Sequence, residues 1–137
     1  MVNKDLLVTR LDKLKGYVDF LESVKTHDQD RFVKDPYIHG AGERFLHLAI
    51  ESVIDISNHI ISDLRYRKPE SNRDIFAVLY ENEVIPFDLK DSLSNMASFR
   101  NILVHDYIKL DRALVYGFIK NHLDDFRVFA RIISDLL

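Results

Sequence analysis

KDLLVTRLDKLKGYVDFLESVK, residues 4–25, decides how the chain is to be folded. Leu7, Leu11, Leu14, Val18, Leu21 and Val24 recur at steps of four and three, with Lys, Asp and Glu between them. That period puts the apolar side chains on one face of a helix and the charges on the other. Outward from it, the polar run THDQD and a short RFVK segment lead to Asp35-Pro36, the order of an N-cap and a first helical residue. The Gly40-Ala41-Gly42 stretch is expected to delay or loosen the start of this helix. From Glu43 the pattern Phe45, Ala49, Val53, Ile56, Ile60, Leu64 carries it to Tyr66, with Pro69 as the stop. Ser71 or Asn72 caps a shorter helix, IFAVLYENEV, ended by Pro86. Asp88 opens another with Leu89, Leu93, Met96, Phe99 and Leu103 inward. Asp111 caps the last, whose inward set is Leu114, Phe118, Leu123, Phe126, Phe129, Ile133 and Leu136. With no strand alternation and no internal repeat, the sequence predicts an all-α fold. It is an antiparallel four-helix bundle with an additional short helix, forming a single domain over residues 1–137.

Composition agrees. Four Gly and three Pro in 137 residues are too few for the many turns of a sandwich or barrel. A hydrophobic content of 47%, with nine Phe and six Tyr, is enough to fill a core without staples. The net charge of −3 means that any nucleic acid must be met by a local basic patch rather than by the whole surface. No cysteine is present, which excludes disulfides, thiol nucleophiles and Cys-based zinc sites and fits a reducing compartment. The longest apolar run, residues 113–119, is far too short to cross a bilayer, and the first residues pass at once into a charged helix. A soluble cytoplasmic protein with no membrane partner is expected.

Two polar constellations stand out. The first is Arg100-Asn101-Ile102-Leu103-Val104-His105-Asp106-Tyr107: a permanent cation, an amide, an imidazole and a phenol within two turns of an otherwise apolar helix. At about 100° per residue, Met96, Phe99, Leu103 and Tyr107 form one stripe with Arg100 at its edge, and His105 lies about 140° around from Arg100. Ile102, Val104 and Ile108 spread outside the stripe, so this helix has more apolar surface than one core needs. A second copy of the chain meeting it about a two-fold axis would cover that surface and bring Arg100 and His105 of both copies to one cleft. Spacing alone equally allows an Arg and a His satisfied locally by Asp106 or Asp111.

The second constellation is Glu43, His47, Glu51, Asp55, His59 and Asp63, each four residues after the last. Carboxylates and imidazoles at that spacing are candidate metal ligands, but the stripe drifts about 40° per step and no other helix supplies a matching Glu-x-x-His. A solvated polar face or an acidic wall beside a cleft reads better, and no metal or other cofactor is expected. A basic cluster, Arg65, Arg67, Lys68 and Arg73, is either a solvated helix end or a hold on a phosphate backbone. Glycine-rich phosphate loops, nucleophile elbows and His-Glu-x-x-His zinc motifs are absent.

RNILVHDY resembles the Arg-x4-His signature of the HEPN superfamily, in the Arg-x4-His-x-Tyr form of the HepT toxins of HepT/MntA-type toxin-antitoxin systems. LHLAIESVIDISNHII (46–61), AVLYENEVIP (77–86) and the run from LSNM through RNILVHDYIKLD (93–111) resemble the same family at matching positions. The resemblance implies a metal-independent ribonuclease toxin that works as a homodimer, or a higher oligomer, on an RNA substrate. It also implies a cognate nucleotidyltransferase antitoxin as partner. Arg100 and His105 would be catalytic, with Asn101 orienting the phosphate or the imidazole, and Tyr107 would be the residue that the antitoxin nucleotidylates. The alternative is a catalytically silent dimeric helical module that only binds the nucleotidyltransferase.

Overall fold

A computed structural model describes residues 2–105 and 110–137, for His105 the backbone alone. Among these residues it is all-helical: α1 (Lys4–Val24), α2 (Gln29–Lys34), α3 (Pro36–Asp63), α4 (Asn72–Glu81), α5 (Phe87–His105) and α6 (Arg112–Leu136). The starts are set by short polar side chains that accept from otherwise unpaired backbone N–H groups. Asn3 accepts from Leu6 at 3.2 Å, Asp28 from Arg31 at 2.9 Å, and Asp35 from Tyr37 at 2.9 Å. Ser71 accepts from Asp74 at 3.1 Å, and Asp111 from Ala113 at 3.0 Å. α2 joins the expected short helix α4 as a second short element, and its Phe32 is completely buried.

Two boundaries differ from expectation. α3 stops at Asp63 rather than Tyr66 because Arg65 turns left-handed (φ 57°), letting Tyr66 N–H return to the Ile61 carbonyl at 2.9 Å. The same device ends α4 at Glu81: Glu83 takes φ 60° and Val84 N–H donates to the Leu79 carbonyl at 2.9 Å.

α1, α3, α5 and α6 form the antiparallel bundle. Asn3 N–H donates to Asp63 at 3.1 Å, so α1 begins where α3 ends. The Tyr116 hydroxyl donates to the His27 carbonyl at 2.6 Å, so α6 begins where α1 ends. α3 touches all five other helices, and its buried positions, among them Leu46, Ile50, Val53, Ile56 and Ile60, occupy a broad arc. On α6 the inward face is rotated from the expected one. Val115, Tyr116 and Ile119 are buried with Leu123, Phe126, Phe129 and Ile133, whereas Leu114 and Leu136 are 54% and 43% exposed. The run Ala113–Ile119 is apolar throughout, so its period fits two faces about 100° apart. Contact with α2 selects one of them: Phe32 meets the Tyr116 ring at 5.3 Å between centroids.

The Gly40-Ala41-Gly42 stretch neither delays nor breaks α3. At Gly42 an added Cβ would stand 2.7 Å from Phe32 Cε2 and 3.4 Å from Ile119 Cδ1, so this glycine is what lets α2 seat its phenylalanine. At Gly40 a Cβ would meet nothing within 4 Å. Urea denaturation should therefore separate the two positions. Gly42→Ala is expected to lose about 1–2 kcal/mol by overpacking against the fully buried Phe32 ring. Gly40→Ala is expected to gain up to about 1 kcal/mol of helix propensity. Equal effects would show that Phe32 yields freely.

Candidate active site

α5 packs on α3, and α3 supplies Glu51 opposite Arg100. The Arg100 Nε–H donates to Glu51 Oε1 in an ion pair, and Arg100 Nη1 donates to Asn101 Oδ1 at 3.3 Å. Glu51 Oε1 also faces His47 Nε2 at 3.4 Å, and His47 Nδ1 faces Arg44 Nη1 at 3.4 Å. Arginine only donates, so Nδ1 is the acceptor in that contact. The result is a polar chain from Arg44 through His47 and Glu51 to Arg100 and Asn101, with two of its links at successive turns of α3. Arg100 is about three-quarters buried and Asn101 is exposed. The side chain of His105 and all of Tyr107 lie outside the described residues, as does Ile108. Leu103 is buried, Ile102 is partly buried against the core, and Val104 is 37% exposed.

The rest of the stripe goes elsewhere. Asp55 pairs with Arg10 of α1 at 2.6 Å and with His59 at 3.6 Å, and Asp63 holds the start of α1. Glu43 is buried beside Arg112 Nε at 3.6 Å, and burial pushes its carboxyl above the usual carboxylate range against the pull of that arginine. Among the described residues, neither Glu43 oxygen has a hydrogen-bond partner, nor has Arg112 Nε. A hollow of about 190 Å³ opens next to the chain, lined by Gly40, Glu43, Arg44, His47 and Leu103. The stripe therefore serves two regions, its N-terminal half Arg100 and Arg112 and its C-terminal half α1.

The four basic residues do not act together. Both edges of the Arg67 guanidinium are taken: Nη1 and Nη2 donate to Asp74 at 2.7 and 2.9 Å, and Nε and Nη2 donate to Glu81 at 3.0 and 2.7 Å. Arg73 reaches α5, where Nη1 donates to the Ser94 carbonyl at 3.1 Å and Ser98 Oγ at 2.8 Å. Arg65 and Lys68 line a separate hollow with Asn58, Tyr66 and Pro69. Arg44 and Arg112 are the cations that sequence reading missed. Arg44 carried a usable signal, three residues before His47; Arg112 had none, because its partner Glu43 is distant in sequence.

The Arg67 guanidinium holds the Asp74 carboxyl down to about 2, with the Glu70 N–H helping, and holds Glu81 below its ordinary value. Groups lowered by folding stabilise above their unfolded pKa and lose that contribution as pH falls through the folded one. Wild type should thus melt above Arg67→Ala at neutral pH, and the gap should shrink between pH ~4 and ~2. A gap independent of pH would mean that Arg67 acts by packing alone.

The family model described as HepT-like, Ribonuclease HepT-like, matches residues 11–133. The mRNA nuclease HepT of Shewanella oneidensis strain MR-1 is 32% identical over 130 residues, 95% of this chain and 97% of that protein. The tRNA nuclease HepT of Aphanizomenon flos-aquae is 27% identical over 132 residues, 96% of this chain and 90% of that protein. Among solved structures, the tri-AMPylated Shewanella oneidensis HEPN toxin in complex with MNT antitoxin superposes with a TM-score of 0.88 at 31% identity, covering 96% of this chain and 98% of that one.

Proposed function

Because the chain belongs to the HepT-like ribonuclease family, we propose that it is a metal-independent endoribonuclease toxin whose site is built around Arg100 and His105 and is neutralised by a nucleotidyltransferase antitoxin. The observation that carries this is the state of Arg100. A guanidinium has five N–H donors, and the described contacts use one on Nε and one on Nη1. The Nη1/Nη2 end is left for phosphate oxygens, aimed by a carboxylate behind it. Fixed in that way, the cation stabilises negative charge as it gathers on the phosphorane oxygens.

His105 supplies the proton chemistry. A neutral imidazole takes the ribose 2′-OH proton as that oxygen attacks phosphorus, or an imidazolium protonates the departing 5′-oxygen. Cleavage by the neighbouring hydroxyl gives a cyclic phosphate and a free 5′-hydroxyl and consumes no metal-bound water. Positions 100 and 105 lie about 140° apart around an ideal helix, and α5 carries exposed Val104, which supports a homodimer in which two copies complete each cleft. Asn101 holds the guanidinium rather than acting on protons. Of the basic cluster, Arg65 and Lys68 are the side chains left to draw RNA in, Arg67 being neutralised by its two carboxylates.

Cleavage of single-stranded RNA should persist in EDTA, from a species sedimenting at twice 16.1 kDa. Arg100→Ala and His105→Ala should each lower kcat/KM by about 10²-fold or more. Wild-type rates in both variants would place the activity elsewhere or in a contaminant, and no cleavage by the purified wild type would leave the catalytically silent, nucleotidyltransferase-binding module as the reading.

Tyr107 is proposed as the point of control. It stands two residues after His105 and seven after Arg100, so adenylates on its hydroxyl bring negative charge to a site that receives RNA phosphate. The AMPylated state of the Shewanella toxin supports this. Co-expression with the partner nucleotidyltransferase should add adenylate mass to wild type and abolish its toxicity. Tyr107→Phe should stay unmodified and toxic. Equal rescue of both without a mass change would make the inhibition simple binding.

A further inference from the structure

The hollow lined by Gly40, Glu43, Arg44, His47 and Leu103 is joined to the proposed cleavage site by two of its own walls. His47 faces Glu51, the carboxylate that holds Arg100, and Leu103 stands one turn beyond Arg100 on α5. One helical turn rises about 5.4 Å, a span that a nucleoside covers from its own phosphate.

Its walls are chemically mixed in a particular way. Arg44 and His47 offer two planar polar groups, held together at 3.4 Å. Leu103 offers an apolar side, and Gly40 leaves its side open, since a Cβ there meets nothing within 4 Å. Glu43 contributes a buried carboxylate with no hydrogen bond on either oxygen among the described residues, although Arg112 Nε lies 3.6 Å away. A bare anion would be repelled by that carboxylate, and an apolar ligand would leave its oxygens unsatisfied. About 190 Å³ is also below the ~300 Å³ typical of pockets for larger organic ligands. Single-stranded RNA is read by stacking bases on His rings and Arg planes and by hydrogen bonds to their polar edges. An exocyclic amine is the donor that a carboxylate accepts from.

We propose that this hollow is the subsite for the nucleobase adjoining the cleaved phosphate, stacking it on Arg44 and His47 and selecting, through Glu43, a base with an exocyclic amine over uracil. The assignment rests on Arg100 being the phosphate-holding residue. Adenine in an adenylate attached at Tyr107 has the same chemistry, and the test separates the two sources.

Randomised single-stranded RNA is cut by the full-length protein and the new ends are sequenced for wild type, Gly40→Leu, Glu43→Gln and Arg100→Ala. Wild type should disfavour uracil at one position next to the cut. Gly40→Leu fills the open side with a helix-favouring residue; it should flatten that preference about five-fold, the order of one hydrogen bond, and raise KM with little change in kcat. Glu43→Gln keeps the size of the side chain, presents a donor as well as an acceptor, and should change which base is preferred. It also decides the matter if Gly40→Leu does not fold. Identical profiles in wild type and Glu43→Gln, or no base preference beside the cut in wild type, would overturn the proposal. If Gly40→Leu keeps the RNA profile but no longer accumulates adenylates on co-expression with the nucleotidyltransferase, the hollow belongs to the adenylate and the RNA assignment fails. Wild-type cleavage by Arg100→Ala is a different failure: it removes the site itself and, with it, the place of the hollow beside the phosphate.

Discussion

Every other described helix leans on α3, and that single constraint organises the molecule. A 28-residue rod with Leu46, Ile50, Val53, Ile56 and Ile60 almost wholly excluded from water cannot rotate or slide without uncovering several large side chains. Each is worth about 1.5–3 kcal/mol when buried. Glu43, His47 and Glu51 ride on that rod at successive turns, so their spacing is as rigid as the core beneath them. The polar chain that ends at Arg100 inherits its geometry from apolar packing and not from its own polar contacts, two of which are 3.4 Å long.

Two arginines show what a neighbourhood does to one residue type. Arg67 is clamped by two carboxylates on both edges of its guanidinium, which leaves it saturated and surrounded by net negative charge. Arg100 has one carboxylate at Nε and a neutral amide at Nη1, which fixes the plane of the group while leaving its far end able to donate. The first arrangement ties the loop after α3 to α4. The second leaves donors on Arg100 that no described residue takes, which is what the proposed hold on phosphate requires.

The fold was largely legible because its helices are long, capped and periodic: Asn3, Asp35, Ser71 and Asp111 all stand where the caps are needed. α2 was not, since six residues show too little period, although Asp28 does mark its start. Nor was the end of α3, where an arginine takes the left-handed position usually given to glycine and leaves no trace in composition. The inward face of α6 was ambiguous because Leu114 and Val115 are adjacent and equally apolar, and only the arrival of Phe32 from another element decides between them. At the site, the octet and the stripe of carboxylates and imidazoles were visible separately. Their meeting at Glu51 and Arg100, 49 positions apart, is a fact of tertiary packing. The sorting of the basic cluster was hidden for the same reason: Arg67 reads as a free cation until the turn at Arg65 brings Asp74 and Glu81 to it.

The packing of α6 against α1 and α3 also bears on how the chain is made. Ribosomes deliver the N-terminal end first, so α1 and α3 meet while the residues of α6 are still being added. The surface that Phe126, Phe129 and Ile133 will cover stays wet during that interval, and α5 lacks the Phe118 ring that later stacks on its Phe99 at 4.8 Å. A nascent chain therefore exposes core surface before it is an enzyme, and the helix that bears Arg100, already packed on α3 and α4, gains its last neighbour only at the end of translation.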